Sequence, residues 1–568
     1  MDIKFILQIM AVFIALGILF LAVERADRKK YWKRMSYLLE KEWGIPTREE
    51  YSDSIMEHIS YYARQNKSEY DIDEITWNDL EMDIVFQNIN HTRTSAGEEY
   101  LYHLLKTPVF SEKVLEERER TVCSMEKNPE MRLQLELDLF AIGKSDKISI
   151  YEYLSRTKEL KEIKKWPHIL AALALLFSIV LLFFSPASAV ALLFVIMISN
   201  AYFYYKEKAK IGSAFSLFQF VLGMVKQCKA MAGIQMEGCE EYFQKLKELS
   251  EKFLAFSRFH FLVSGGNSMS GNWFDAIFDY VRILFHVDLI KMATMTREIK
   301  KNEAALLELY QIVGYLDSMM AIASYRHQVK CYTVPVLRFA KDRNDCRKIT
   351  AKQLYHPLLK EPVKNNLDTE KCMLLTGSNA SGKSTFIKAT AINAIFAQTI
   401  HTVLADAYHA PFFRVYSSMA LRDDILSNES YFIVEIKSLK RIFDAVGQDE
   451  IPVLCFVDEI LRGTNTVERV AASAQLLQEM AKEKVMCFAA THDIELTYLL
   501  EDSFANYHFE EVLSAEDISF DYLLKEGRAN SRNALRLLQM IGFPERTIAK
   551  AQDRVTHFLK EGNWKKTE

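Results

Sequence analysis

Two long apolar blocks interrupt a chain that otherwise alternates between helix-period and strand-period patterning. Residues Ile3 to Val23 are apolar apart from Lys4 and Gln8. About 21 helical residues at ~1.5 Å each reach roughly 31 Å, the thickness of a bilayer's hydrocarbon core. The second block runs from Trp166 to Tyr205 and is broken at Ser185-Pro-Ala-Ser188. One straight helix of about 40 residues would be about twice the hydrocarbon thickness, so this block predicts two crossings joined at the Ser-Pro turn. From Gly212 to Arg347 the chain reads as long amphipathic helices. In Ile299-Lys-Lys-Asn-Glu-Ala-Ala-Leu-Leu-Glu-Leu-Tyr310, for example, apolar residues recur three and four apart. Ile72 to Leu80 and Thr94 to Pro108 also carry helix signals, the second with a closing proline. Beyond residue 350 the pattern changes. The apolar runs Cys372-Met-Leu-Leu-Thr376, Val453-Leu-Cys-Phe-Val457 and Val485-Met-Cys-Phe-Ala-Ala-Thr491 read as strands, and Phe386 to Ile395 reads as a helix following the first of them.

Charge orients the apolar blocks. Met1-Asp-Ile-Lys4 carries little charge, whereas Arg25-Ala-Asp-Arg-Lys-Lys-Tyr-Trp-Lys-Arg34 is densely basic, and the basic side of a span stays in the cytoplasm. Lys161, Lys164 and Lys165 before the second block, and Lys206, Lys208 and Lys210 after it, place both of its ends on the cytoplasmic side. A cleaved signal peptide is the competing reading of the first block, but its charged end would precede the apolar run. A buried helical hairpin in a soluble domain is the competing reading of the second. Three crossings put the N-terminus outside and make this a multi-pass cell-membrane protein with its larger parts in the cytoplasm.

The 568 residues leave room for three or four domains, and the 49% hydrophobic content is locally most concentrated in those two blocks. The eight cysteines show no C-x-x-C pair and several lie in apolar strands, so reduced, buried thiols are expected. A net charge of −4 supplies no global basic field for nonspecific nucleic-acid binding, although a local patch is compatible with it.

The chemistry is concentrated in the last third. Gly377-Ser-Asn-Ala-Ser-Gly-Lys-Ser-Thr385 fits G-x-x-x-x-G-K-[ST] and sits between a strand and a helix, the context this motif needs. There the loop's backbone N–H groups, from Gly377 through Asn379 and Gly382 to Thr385, surround the phosphates of ATP. Lys383 reaches the β/γ oxygens and Ser384 holds Mg²⁺. Asp458-Glu459 closes an apolar strand: the first acid coordinates the metal and the second polarises the attacking water. His492 closes another such run, and the sheet would deliver it to the same edge, where a neutral imidazole senses the γ-phosphate or the water. Catalysis is thus expected of Lys383, Glu459 and His492, with Ser384 and Asp458 as metal ligands. Taken singly, an acid pair at a strand-to-turn junction and a satisfied histidine at a strand end are ordinary features.

In these motifs the stretch from Tyr355 to Ala549 resembles the ATPase domain of MutS, the DNA mismatch-repair ATPases related to the nucleotide-binding domains of ABC transporters. The likeness runs in order through Tyr355-His-Pro357, the lysine loop, Asp423-Asp-Ile-Leu-Ser-Asn-Glu-Ser-Tyr-Phe-Ile-Val-Glu435, Asp458-Glu-Ile-Leu-Arg-Gly-Thr-Asn-Thr466, Ala490-Thr-His-Asp-Ile-Glu-Leu496 and Gly527. It implies two copies facing each other, with Ser430 of one reaching the γ-phosphate held by the other and Arg462-Gly-Thr-Asn-Thr466 along the seam. A simple N-cap is the alternative role for Ser430. There are departures. Asn428-Glu429 stands where glycine and a basic residue are expected, and Val363 where an aromatic often flanks adenine, which leaves Tyr522, and less strongly His356, to contact the base. Thr94 to Pro108 resembles, more weakly, the start of the MutS helical core. The aromatic-x-Glu wedge of the mismatch-reading domain has no counterpart, since Phe509-Glu-Glu511 lies inside the ATPase.

The expected fold is therefore an α/β P-loop (ABC-type) ATPase domain with a mainly α-helical core/lever region and about three transmembrane helices. The expected divisions are a transmembrane helix at 1–24, a cytoplasmic helical core segment at 25–165, a transmembrane hairpin at 166–205, a helical lever at 206–350 and the ATPase domain at 351–568. The expected function is a membrane-anchored, homodimeric MutS-type ATPase that uses ATP and Mg²⁺ and couples hydrolysis to DNA. The alternative is an ATP-driven membrane machine or scaffold acting on a protein or lipid partner.

Overall fold

The computed structural model describes residues 3–46, 51–145, 149–155, 163–253, 273–329, 331–342, 344–378, 381–419, 431–448, 450–513, 518–529, 535, 538–539 and 541–564. The chain divides into two compact units that interleave in sequence. One comprises Met1–Lys67, Phe86–Leu104 and Glu116–Val329, the other Ser68–Val85, Leu105–Leu115 and Lys330–Glu568.

The first unit is helical. Its opening helix runs Ile3–Glu42 without a break at residue 24. The second apolar block forms two helices, Lys165–Leu181 and Pro186–Met231, with the interruption at the Ser-Pro turn and Pro186 in the first turn, where its missing N–H costs nothing. The second helix runs well past Tyr205, through Gly212, because no proline interrupts the chain between Lys206 and Met231. Among the described residues, one helical segment, Pro186–Lys210, is long and apolar enough to cross a membrane. Lys165–Leu181 is apolar but only 17 residues long, about 25 Å at ~1.5 Å per residue. Of the three spans expected from the sequence, one thus has the length and composition of a crossing among the described residues.

The core of this unit is the helix Glu303–Val329, buried on nearly all sides. The amphipathic helix expected across 299–310 is instead cut at Asn302, which ends the helix Val287–Lys301. The helix Ser95–Lys106 crosses the buried helix backbone to backbone: a Cβ on Gly314 would lie 2.7 Å from the Ala96 carbonyl oxygen. One turn further on, the buried Asp317 carboxylate accepts from the Thr94 amide (2.8 Å) and hydroxyl (2.6 Å) at that helix's start. Burial holds its pKa up at about 6.

The second unit carries β1 (Val336–Arg338), β2 (Ile349–Leu354), β3 (Asn365–Thr369), β4 (Cys372–Thr376), β5 (Ala407–Pro411), β6 (Arg414–Ser418), β7 (Val453–Asp458), β8 (Val485–Ala490), β9 (Phe504–His508), β10 (Glu511–Leu513), β11 (Ile518–Phe520) and β12 (Lys525–Glu526). A four-stranded sheet has the order β1-β5-β2-β3, and β10 pairs with β11. The principal sheet has the order β12-β9-β4-β8-β7-β6, parallel throughout except for β12. Strands covered on both faces read as continuous apolar runs, and β4 and β8 are buried at every position.

This unit begins earlier than residue 351, since β1 pairs with β5. It also takes in part of the 25–165 stretch. Asp79 accepts from the Ser417 hydroxyl (2.7 Å) and the Met419 amide (2.9 Å), and Thr76 Oγ1 accepts from the Ser417 amide (3.0 Å), at the end of β6. All eight cysteines are free; Cys123 and Cys331 are half-buried and the other six buried.

Candidate functional site

Register decides which residues meet. Ala490, the last residue of β8, lies beside Leu375 of β4 on one side and Asp458 of β7 on the other. The segments leaving these strands therefore emerge together at the C-terminal edge of a parallel sheet, where open α/β folds place their ligands. From β4 the chain enters the glycine loop. Gly377 (φ +142°) and Gly382 (φ +106°) occupy backbone conformations that a side chain would strain, and both are hemmed in. A Cβ on Gly377 would lie 2.8 Å from the Phe509 carbonyl oxygen, and one on Gly382 would lie 3.1 Å from Tyr522 Cδ1. The loop leads into the helix Lys383–Thr399, whose N-terminus presents N–H groups that have no partner within the helix, and the positive end of the helix dipole.

Lys383 is buried, and its ammonium donates to the carbonyl oxygens of Gly377 and Ser378, each at 2.7 Å. Burial pulls its pKa down to about 8, against the opposing effect of Asp458. The Ser384 hydroxyl donates to Asp458 Oδ2 at 2.6 Å across the gap between β4 and β7. Among the described residues, the other Asp458 oxygen is buried without a hydrogen-bond partner, as are the hydroxyls of Ser378 and Ser381 in the loop. A hydroxyl and a carboxylate together are a hard-oxygen pair suited to Mg²⁺. The loop N–H groups and Lys383 suit the phosphates of ATP, so the residues present fit Mg²⁺-ATP.

Glu459 has φ +56° and its amide donates to the Ala490 carbonyl at 2.9 Å, a turn that aims its carboxylate back across the sheet edge. That carboxylate lies 2.9 Å from His492 Nε2 and is also paired with Arg462. Burial, and then the charges of Lys383 and Arg462, lower the His492 pKa, so the imidazole accepts or donates as a neutral ring at physiological pH. After His492, Asp493 receives both Arg469 Nε (2.8 Å) and Arg469 Nη2 (2.6 Å).

A cleft of about 480 Å³ opens from the loop toward Tyr355, His356, Leu359, Val363 and Tyr522. Tyr522 (φ +53°) is half-exposed, stacks on Phe520 at a centroid distance of 5.8 Å, and is fixed through its carbonyl by Asn365 Nδ2 at 3.0 Å. Burial, and then Lys388, lower the His356 pKa to about 4, and its Nδ1 accepts from the Leu358 amide at 3.2 Å. Both residues line the same cleft as Lys383, Ser384, Thr385 and Glu459. Asn379 and Ser430, with Asn428-Glu429, lie outside the described residues.

Sequence reasoning missed several contributors. Phe509 walls the cleft and its amide bonds to the Thr376 carbonyl (3.1 Å); Asn365 holds both the Tyr522 carbonyl and the Leu524 amide; Asn393, buried in the helix after the loop, holds the Tyr355 carbonyl (3.0 Å) and the Leu404 amide (2.7 Å). A lone asparagine or phenylalanine carries no spacing signal, so only the folded chain identifies them.

Comparison with known proteins points to the same part of the chain. Residues 373–559 match the family model for MutS domain V. The chain is 29% identical over 283 residues to the DNA mismatch repair protein MutS of Thermotoga maritima, covering 48% of this chain and 34% of that protein. It is 30% identical over 273 residues to the MutS of Natronomonas pharaonis (45% of this chain, 30% of that one), and 30% identical over 258 residues to that of Thermus aquaticus (44% and 30%). The chain thus spans about a third of the length of the relatives it matches. These similarities support a MutS-type ATPase region at the level of the family.

Proposed function

We propose that this protein is a membrane-anchored, MutS-type ATP hydrolase that works as a homodimer and couples ATP turnover to DNA. The observation that carries the reading is the convergence of Lys383 and Ser384 with Asp458, Glu459 and His492 on one sheet edge. In this reading Lys383 exchanges its two loop carbonyls for phosphate oxygens, and Ser384 and Asp458 hold Mg²⁺. Bound there, the metal supplies charge neutralisation for the phosphates. Glu459 takes up the proton of the attacking water, held in place by His492 and Arg462, and Ser430 of a second copy completes the site. Tyr522 and His356 flank the base.

Anchoring rests on Pro186–Lys210, whose side chains are largely uncovered, with Phe194, Val195 and Ile198 each more than 60% exposed. Lys165–Leu181 is its return arm, and the block at Ile3 to Val23 supplies a third crossing. The ATPase unit then faces the cytoplasm. The uncovered apolar helix also favours the second reading, in which the ATPase drives a membrane-bound protein or lipid process without DNA.

ATP hydrolysis by the detergent-solubilised protein, with and without homoduplex, mismatched and branched DNA and with Lys383→Ala as the blank, separates the two. Lys383-dependent turnover stimulated by DNA is expected; turnover indifferent to every DNA would favour the membrane reading, and none at all would remove both. Deleting residues 1–24 should leave the protein in the membrane fraction through the hairpin, and a fully soluble product would refute that anchor.

A further inference from the structure

We propose that Arg469 is a positioning residue for His492, acting through Asp493 and linking the loop Arg462-Gly-Thr-Asn-Thr466 to the hydrolytic site. The inference rests on the reading above and adds to it a residue outside the phosphate and metal contacts. Three features carry it.

The first is the form of the contact. The Arg469 guanidinium meets Asp493 through two donors at 2.8 and 2.6 Å, one to each carboxylate oxygen, a fork that fixes direction as well as distance. Both side chains are mostly buried (23% and 14% exposed), so the pair is less screened than an ordinary surface salt bridge.

The second is its place in the chain. Asp493 directly follows His492. The Thr491 amide is tied to the Leu375 carbonyl (3.0 Å) and the Asp493 amide to Thr491 Oγ1 (3.0 Å), so the backbone on either side of the histidine is held. With both neighbours fixed, the ring is left to face Glu459 at 2.9 Å.

The third is the origin of the arginine. Arg469 lies in the first turn of the helix Thr466–Met480, and its amide donates to the Asn465 carbonyl at 2.8 Å. Asn465 caps that helix by accepting from the Val467 and Glu468 amides, and it is also part of the 462–466 loop. The opposite end of that loop, Arg462, pairs with Glu459. The loop therefore touches the Glu459–His492 pair from both ends, directly through Arg462 and indirectly through Arg469 and Asp493. A displacement of the loop would move the histidine as well as the glutamate.

Steady-state ATP hydrolysis by the full-length protein tests this, with thermal unfolding measured on every variant. Arg469→Ala should lower kcat about 10- to 100-fold, the scale of a misplaced catalytic group, with KM for ATP changed less than threefold and Tm close to wild type. Asp493→Asn should do the same. Placed in a His492→Ala background, Arg469→Ala should cost no further activity, because a residue acting through the histidine has nothing left to position. Arg469→Asp combined with Asp493→Arg should recover most of the lost kcat. Unchanged kcat in either single variant, a fall that is fully additive with His492→Ala, or a raised KM at wild-type kcat would overturn the proposal. If Arg469→Ala fails to fold, Asp493→Asn and its double variant with His492→Ala decide the matter. Wild-type protein without Lys383-dependent turnover would sink this inference together with the reading beneath it; active wild type with normal Arg469 variants would sink this inference alone.

Discussion

Glu459→Gln gives the sharpest test of the hydrolytic chemistry, because the structure separates what the substitution keeps from what it removes. The carboxylate is held by Arg462 and by His492 Nε2 at 2.9 Å, and its positive φ is set by a backbone bond to Ala490. A glutamine has the same shape and φ preference. Its amide oxygen can still accept from Arg462, and its NH₂ can donate to a neutral imidazole, so the turn and the neighbouring loop should stay as they are. What disappears is the proton acceptor. A positioned general base contributes about 10²–10⁴ in rate, or roughly 2.7–5.4 kcal/mol of barrier at ~1.36 kcal/mol per decade. Single-turnover hydrolysis should slow by that factor while the ATP Kd, measured by calorimetry, changes less than threefold, and ATP-bound dimers should accumulate in size-exclusion chromatography. Hydrolysis within threefold of wild type would refute the assignment of Glu459 as base. A collapse of ATP affinity would instead show that the residue holds the site together.

Two further outcomes follow from other contacts. The Lys383 pKa of about 8 makes nucleotide affinity pH-dependent: the charged form binds phosphate, so affinity should fall as pH rises through that value, by about tenfold between pH 7 and 9, whereas Lys383→Arg, charged throughout, should lack this limb; parallel profiles in calorimetry would contradict it. Gly314→Ala drives a methyl to within 2.7 Å of the Ala96 carbonyl and 2.9 Å of Tyr100 Cβ, an overpacking that should cost about 1–3 kcal/mol, seen as a lowered midpoint in denaturant titration; an unchanged midpoint would show that the two helices separate easily.

What could be read from the chain alone was whatever had a fixed local spacing. The lysine loop was legible because its glycines and its lysine must follow one another at set intervals, and β4, β7 and β8 because strands buried on both faces carry unbroken apolar runs. The break at Ser185-Pro186 was legible for the same reason, since proline acts on its own neighbourhood. The contributions of Asp79 and Thr76 were not, because their partners at the end of β6 lie 338 and 341 positions away. Val336–Arg338 is too short and too exposed to announce itself as a strand; its pairing with β5 defines it. The break at Asn302 escaped notice because asparagine interrupts a helix only weakly. The Arg469–Asp493 fork escaped because two opposite charges 24 residues apart resemble any two surface residues until the sheet brings them together.

The interleaving of the two units has a consequence for how the protein is made. The ribosome releases Asp79 long before Ser417, the residue it secures. At about 5–20 residues per second, the interval is on the order of 17–68 s. Throughout that time the segment 68–85 has no finished sheet to join. The later unit can complete itself only by drawing on segments released before residue 330, and nascent chains of this protein must carry those early segments without their sheet until most of the message has been read.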